Sequence, residues 1–167
     1  IRDSMVQVAK DGMALIDRGH VYRAVNAYYT AQYGLAATEI VGREVSAVIG
    51  DDLYDQLVRQ LLDRSFQGEQ VKLERWIEYP VSGRRRVELT FSPYRDEAGG
   101  LSRVLVTSQD ITERYLSQLA LQQSEEKFRA IFDHAPIGMV ILQEEDGRIL
   151  DANPASLHMH GYDRDGY

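Results

Sequence analysis

At 167 residues the chain has room for one ordinary domain and part of another, and 44% hydrophobic with 27% charged residues is the composition of a folded globular protein. A formal charge of −7 argues against binding nucleic acid or anionic lipid, and the lack of cysteine removes disulfides, thiolate metal sites, cysteine nucleophiles and every cofactor attached through sulfur. No apolar run approaches the ~18 residues that a membrane span requires.

Ile1 to Lys10 reads as an amphipathic segment rather than a signal peptide. Without an initiating Met, the chain is expected to be part of something longer, and the lack of cysteine fits a cytoplasmic setting. Residues 12–17 are apolar enough for a strand, Asp17-Arg18-Gly19 is a turn, and Val21 to Val25 supplies the hairpin partner. Asn26 can cap a short helix that carries Tyr29 and Tyr33 at i,i+4 spacing and ends at Gly34. A second short turn runs from Thr38 to Gly42. From Asp51 to Phe66 the spacing predicts a longer helix, with acidic residues at its start and a stripe of Leu53, Leu57 and Leu61.

Three strands then follow. Val71, Leu73, Ile77 and Tyr79 alternate with polar residues; so do Val87, Leu89 and Phe91; and Leu101 to Thr107 is mostly apolar. Turns fall at Ser82-Gly83 and at Asp96 to Gly100, and Arg84-Arg85-Arg86 reads as a solvated hairpin tip. Two strands, several short helices and three strands in that order give an α+β fold: a five-stranded antiparallel sheet with short helices on one face.

The chain also repeats itself. Gly12-Met13-Ala14-Leu15-Ile16 returns as Gly138-Met139-Val140-Ile141-Leu142, and Asn26 to Gly34 returns as Asn153 to Gly161. One extra residue in the second copy falls in its turn, at Glu144 to Gly147.

Ala37-Thr38-Glu39-Ile40-Val41-Gly42-Arg43, Ser92-Pro93-Tyr94-Arg95-Asp96-Glu97-Ala98-Gly99 and Asp110-Ile111-Thr112-Glu113-Arg114 stand in the order found in PAS domains, and the chain resembles that family. The resemblance implies a PAS sensory domain over residues 1–114, a connector helix over 111–132 and the N-terminal part of a second PAS domain over 133–167. It also implies that Asp110, Thr112, Glu113 and Arg114 hand a signal to that helix. The residues themselves give a reason. Asp110 and Thr112 can accept amide protons where strand becomes helix, and Glu113 lies in the positive first turn. Ile111, Tyr115, Leu119, Phe128, Ile131 and Phe132 form an imperfect apolar spacing, interrupted by Gln118, Gln122 and Gln123. It leaves open a homodimer, through the N-terminal and connector helices, or an exposed linker without a partner.

The ligand is approached by exclusion. The resemblance implies that a flavin adduct would need a Cys, which the chain lacks, and that haem would be held by a His on the long helix, where residues 51–66 have none. His20, His134, His158 and His160 read as surface or core histidines, so no metal site is expected. Arg75 falls in phase with the buried face of its strand. Three readings stay open: an anchor for a small carboxylate, helped by Tyr29 or Tyr79; an internal pair with Glu or Asp; or a bulge that turns Arg75 outward. A tyrosine-lined cavity and a packed core without one are equally open. No nucleophile elbow, phosphate loop or paired catalytic carboxylates occur, so no enzymatic activity is expected. The expected role is a bacterial sensory module. The resemblance implies an output that is a diguanylate cyclase, a cyclic-di-GMP phosphodiesterase or a histidine kinase outside this chain; the alternative is a ligand-free dimerisation spacer.

Overall fold

Alternating burial organises the first sheet. In β1 (Gly12–Asp17) the residues Gly12, Ala14 and Ile16 turn inward while Met13 and Leu15 are half-buried. The turn after Asp17 is fixed by its own carboxylate, whose Oδ1 accepts from the Gly19 and Val21 amides, and β2 (Tyr22–Val25) returns antiparallel. β3 (Val71–Tyr79), β4 (Gly83–Arg95) and β5 (Leu101–Asp110) form a meander, and β5 closes back onto β1. The strand order is β2-β1-β5-β4-β3, antiparallel throughout. The computed structural model describes residues 11–162, so the amphipathic reading of residues 1–10 lies outside it. The chain divides into two compact units between Glu113 and Arg114.

Cross-strand rows show what the inner face carries. Val71, Phe91, Val106 and Ala14 stand in one row, and Leu73, Leu89, Ser108 and Gly12 in the next. Tyr29, Ile40, Val45, Val58, Leu61 and Leu62 pack into the same core from the helices: α1 (Ala27–Tyr33), α2 (Ala37–Ile40), α3 (Val45–Ile49), α4 (Asp51–Leu53), a π-turn at Tyr54–Val58, and α5 (Arg59–Phe66). The sequence predicts one uninterrupted helix over 51–66, and the π-turn is the difference. Its i→i+5 bonding takes an extra residue, which rotates the downstream face so that Leu61 and Leu62 become core while Leu53 and Leu57 stay half-buried. The same turn aims Tyr54 at the β1–β2 connection, where its hydroxyl lies 2.6 Å from His20 Nδ1. His20 has φ 56°, its Nε2 stands 3.2 Å from Asp63, and its ring stacks on Phe66. Thus His20 fastens the first hairpin to the long helical run.

Arg84, Arg85 and Arg86 are strand residues of β4 rather than a hairpin tip. The turn closes earlier, with Tyr79 opposite Gly83. Arg84 and Arg86 lie over the Trp76 ring on the outer face of the sheet, 4.9 and 5.9 Å from its centroid.

The second unit holds most of α6 (Thr112–His134), then β6 (Val140–Leu142), β7 (Ile149–Ala152) and α7 (Pro154–His160). Its resemblance to the first unit reaches atomic detail. Asn26 Oδ1 accepts from the Met13 and Tyr29 amides, and its Nδ2 donates to the Asp11 carbonyl. Asn153 Oδ1 accepts from the Met139 and Ser156 amides, and its Nδ2 donates to the Phe132 and Ile137 carbonyls. Each helix then ends on a left-handed glycine, Gly34 at φ 67° and Gly161 at φ 74°. The repeated Asn is therefore more than a cap: it joins strand, preceding segment and helix through one amide.

Candidate ligand cavity and exit helix

Between the inner face and the helices the first unit holds a cavity of ≈ 40 Å³, lined by apolar side chains such as Leu53, Ile77, Leu89 and Phe91 and by Tyr22, Tyr29, Tyr33, Tyr79 and Ser108. A water molecule needs ~10–15 Å³ on this measure, so the space holds about three waters or a ligand of a few non-hydrogen atoms.

Its polar side is a line of phenols. The Tyr22 and Tyr29 hydroxyls are 2.5 Å apart, the Tyr29 and Tyr33 ring centroids are 4.9 Å apart, Tyr33 stands edge-on to Tyr79 at 5.5 Å, and Ser108 lines the same cavity. Ser108 Oγ in turn donates to Gln32 Oε1 at 3.4 Å. Burial pushes the Tyr22 and Tyr79 hydroxyls up to about 12, and holds those of Tyr29 and Tyr33 well above the usual phenol value. All four are neutral at ordinary pH. The Tyr22–Tyr29 pair contains two O–H protons and one link, so one proton is left over for a further acceptor.

Gly12 makes room for this arrangement. A Cβ there would stand 2.5 Å from Ser108 Oγ and 2.7 Å from Gln32 Oε1. Gly12→Ala is therefore expected to separate that pair and to cost about 2–3 kcal/mol, the range for overpacking and for orphaned buried polar groups. Urea denaturation of the variant checks it, and an unchanged midpoint would show that the pair relaxes freely.

Among the candidate ligand residues the cavity separates Arg75 from the two tyrosines. Tyr29 and Tyr79 both line it, but Arg75 does not. The β3–β4 register runs without a shift from Val71–Phe91 to Tyr79–Gly83, so there is no bulge, and Arg75 stands opposite the fully buried Val87. Arg75 is nonetheless exposed. β3 is the outermost strand, and a long side chain at an edge carries its charge past the rim into water. Alternation assigns the face correctly yet does not reveal where the helical cover ends.

At the far end of β5 the predicted relay residues divide into two pairs. Asp110 Oδ1 accepts from Thr112 N at 3.0 Å and from its hydroxyl at 2.5 Å, while Thr112 Oγ1 accepts from the Arg86 amide at 2.9 Å. The Arg86 carbonyl takes the Ile111 amide at 2.8 Å, and Ile111 is buried. The exit of the chain into α6 is thus tied to the backbone of β4. Glu113 and Arg114 are exposed on the first turn of α6. Sequence reasoning missed Arg86 because it contributes backbone atoms, which leave no signature in residue type. It also missed Ser108 and Gln32, whose pairing depends on a register that only the folded sheet sets.

A family model described as PAS fold matches residues 6–116, and one described as PAS domain matches residues 126–167. The chain belongs to the PAS family. Solved structures agree on the fold. The PAS domain of Bordetella pertussis BvgS is 23% identical with a TM-score of 0.58, over 75% of this chain and 95% of that one. A PAS domain from Colwellia psychrerythraea is 16% identical with a TM-score of 0.55, over 67% and 95%. VqmA of Vibrio cholerae, solved as a ligand–DNA complex, is 21% identical with a TM-score of 0.59, over 64% of this chain and 48% of that one. The match spans about half the length of that chain and of a second VqmA chain, 48% and 51%. No curated protein matches the sequence. Among the described residues no helix is long and apolar enough to cross a membrane, and no group of three or more His, Cys, Asp or Glu could hold a metal ion.

Proposed function

We propose that this PAS module is a sensory element of a bacterial signalling protein, that it takes a small neutral ligand with a hydrogen-bond acceptor into the tyrosine-lined cavity, and that it relays occupancy through α6. The observation that carries the reading is the geometry of β5. Val104, Val106, Ser108 and Asp110 share one face of that strand. Val106 and Ser108 line the cavity, and the next residue in the row is the carboxylate that holds the start of α6. A displacement of β5 at Ser108 therefore acts, through Asp110, on the helix that starts four residues later. The ligand is neutral because the cavity offers no charge: its phenols are protonated and Arg75 lies outside it.

Native mass spectrometry of protein purified from cells tests the reading, with a small bound mass expected on the folded chain. Loss of that mass in Tyr29→Phe, which removes the central phenol of the row, supports the site. Retention in the variant places the ligand elsewhere. The small size of the cavity also favours a second reading, a ligand-free spacer, which the same measurement would establish by finding the bare chain in every preparation.

On the output side, Thr112→Val keeps the side-chain shape but deletes the acceptor for Arg86 N and the donor to Asp110. Losing a cap of this kind costs ~1 kcal/mol. Hydrogen exchange in the first turn of α6 is expected to accelerate about five- to ten-fold, and unchanged exchange would remove Thr112 from the relay. Leu116, Leu121, Phe128 and Ile131 are exposed on α6, and in this proposal they pair with a second copy in a homodimer. The module performs no chemistry itself. Its output is a cyclic-di-GMP enzyme or a histidine kinase outside this chain, and the assembly is cytoplasmic.

A further inference from the structure

A second pocket of ≈ 250 Å³ lies in the first unit, away from the core cavity and against the exit of β5, lined by Tyr28, Ala31, Gln32, Ser82, Arg85 and Asp110. Its two charged groups do not satisfy each other. Arg85 Nε donates to the Ser82 carbonyl at 3.0 Å and stands 4.0 Å from Asp110 Oδ2, too far for the 2.7–2.9 Å of a charge-assisted hydrogen bond. That leaves the terminal guanidinium nitrogens of Arg85 and the second oxygen of Asp110 available at one pocket, since Asp110 Oδ1 is occupied by Thr112. The Ser82 hydroxyl is buried with no hydrogen-bond partner among the described residues. Buried Gln32 spends its Oε1 on Ser108, so its amide N–H groups are the ones left for a ligand.

We infer that this pocket binds a small zwitterion of the α-amino-acid class. Its carboxylate lies on Arg85 with help from Ser82 or Gln32, its ammonium on Asp110, and its side chain against Tyr28 and Ala31. A simple carboxylate meets only half of this site and must approach a chain of net charge −7, whereas a zwitterion is neutral overall and uses both charges. A lone ammonium likewise leaves Arg85 unanswered. The position gives the site a consequence: the carboxylate that takes the ammonium is the one that caps α6, so occupancy and the helix start share one side chain. The site does not depend on a ligand in the core cavity.

Isothermal titration of the 167-residue chain with a panel of the common α-amino acids, and with acetate and ethylamine as half-ligands, tests it. At least one small amino acid is expected to bind, with acetate and ethylamine more than about ten-fold weaker. Arg85→Gln and Asp110→Asn should each weaken that binding by about ten-fold or more. Arg85→Lys, which keeps the charge, should retain part of it, and Arg103→Gln, on an exposed β5 residue, should leave it unchanged. Circular dichroism confirms that each variant is folded. No heat from any amino acid overturns the inference. So does acetate binding as tightly as the best amino acid, or binding that survives Arg85→Gln in a folded protein. None of these results bears on the core cavity, whose ligand is sought by mass.

Discussion

Replacing Asn26 by alanine is expected to destabilise the first unit by about 3–5 kcal/mol, a large share of the ~5–15 kcal/mol that holds a domain of ordinary size together. The effect is large because one buried amide does three jobs. It caps α1 through Tyr29 N, a bond worth ~1 kcal/mol in most helices. It accepts from Met13 N on β1, which would otherwise be a strand amide without a partner, at a cost of ~1–3 kcal/mol. It also donates to the Asp11 carbonyl just before the strand. Alanine leaves those groups unanswered and opens a void at a site only 2% exposed. Asn26→Asp separates the contributions: it keeps both acceptances and turns the third contact into a repulsion between carboxylate and carbonyl, so it should fall between the wild type and Asn26→Ala. Urea denaturation followed by circular dichroism ranks the three. Equal midpoints for Ala and Asp would mean that the donor to Asp11 carries most of the energy.

The repeated Asn shows what kind of information the sequence holds. Asn26 and Asn153 are legible as helix caps because capping depends on local residue type, and their recurrence marks a shared architecture. The five strands are legible for the same reason: they are apolar or alternate, as Val71 to Tyr79 and Val87 to Phe91 do, and their turns carry Gly, Asp or Ser. Two features are not local. The π-turn at Tyr54–Val58 breaks no propensity rule, since it arises where the helix must present both Tyr54 to His20 and Leu61 and Leu62 to the core. The exposure of Arg75 depends on where the helical layer stops, and no residue near Arg75 encodes that.

The site follows the same division. Tyrosines near the first helix and Tyr79 suggest a phenol-lined space, and the structure places Tyr22, Tyr29, Tyr33 and Tyr79 around one cavity. Gly12, Gln32 and Ser108 complete it, and they come from three elements joined only by the pairing of β1 with β5 and the packing of α1. Asp110 and Thr112 are readable as capping residues, but their anchor on Arg86 is a backbone pair 24 or more positions away in sequence.

The phenol row also sets how the fold fails in alkali. Tyr22 and Tyr79 lose their protons near pH 12 in the folded chain but near pH 10 once unfolded. Between those values the folded state binds more protons than the unfolded one, so each rise in pH favours unfolding. Stability from these groups is fully present below about pH 10 and is lost as pH climbs towards 12. The loss is roughly 3 kcal/mol for each of the two, and Tyr29 and Tyr33, pushed up by burial in the same way, add to it. That total is comparable with the whole stability of a domain, so the chain is expected to unfold cooperatively within this window, with its buried phenols ionising in the same step. Phenolate absorbance and far-ultraviolet circular dichroism recorded on one sample check the coincidence. Tyr22→Phe removes one linked proton and should flatten the dependence of the urea midpoint on pH, while also breaking the link to Tyr29. If the phenols instead titrated gradually near pH 10 with the dichroism unchanged, water would already reach the row, and the uncharged cavity proposed for a neutral ligand would not exist.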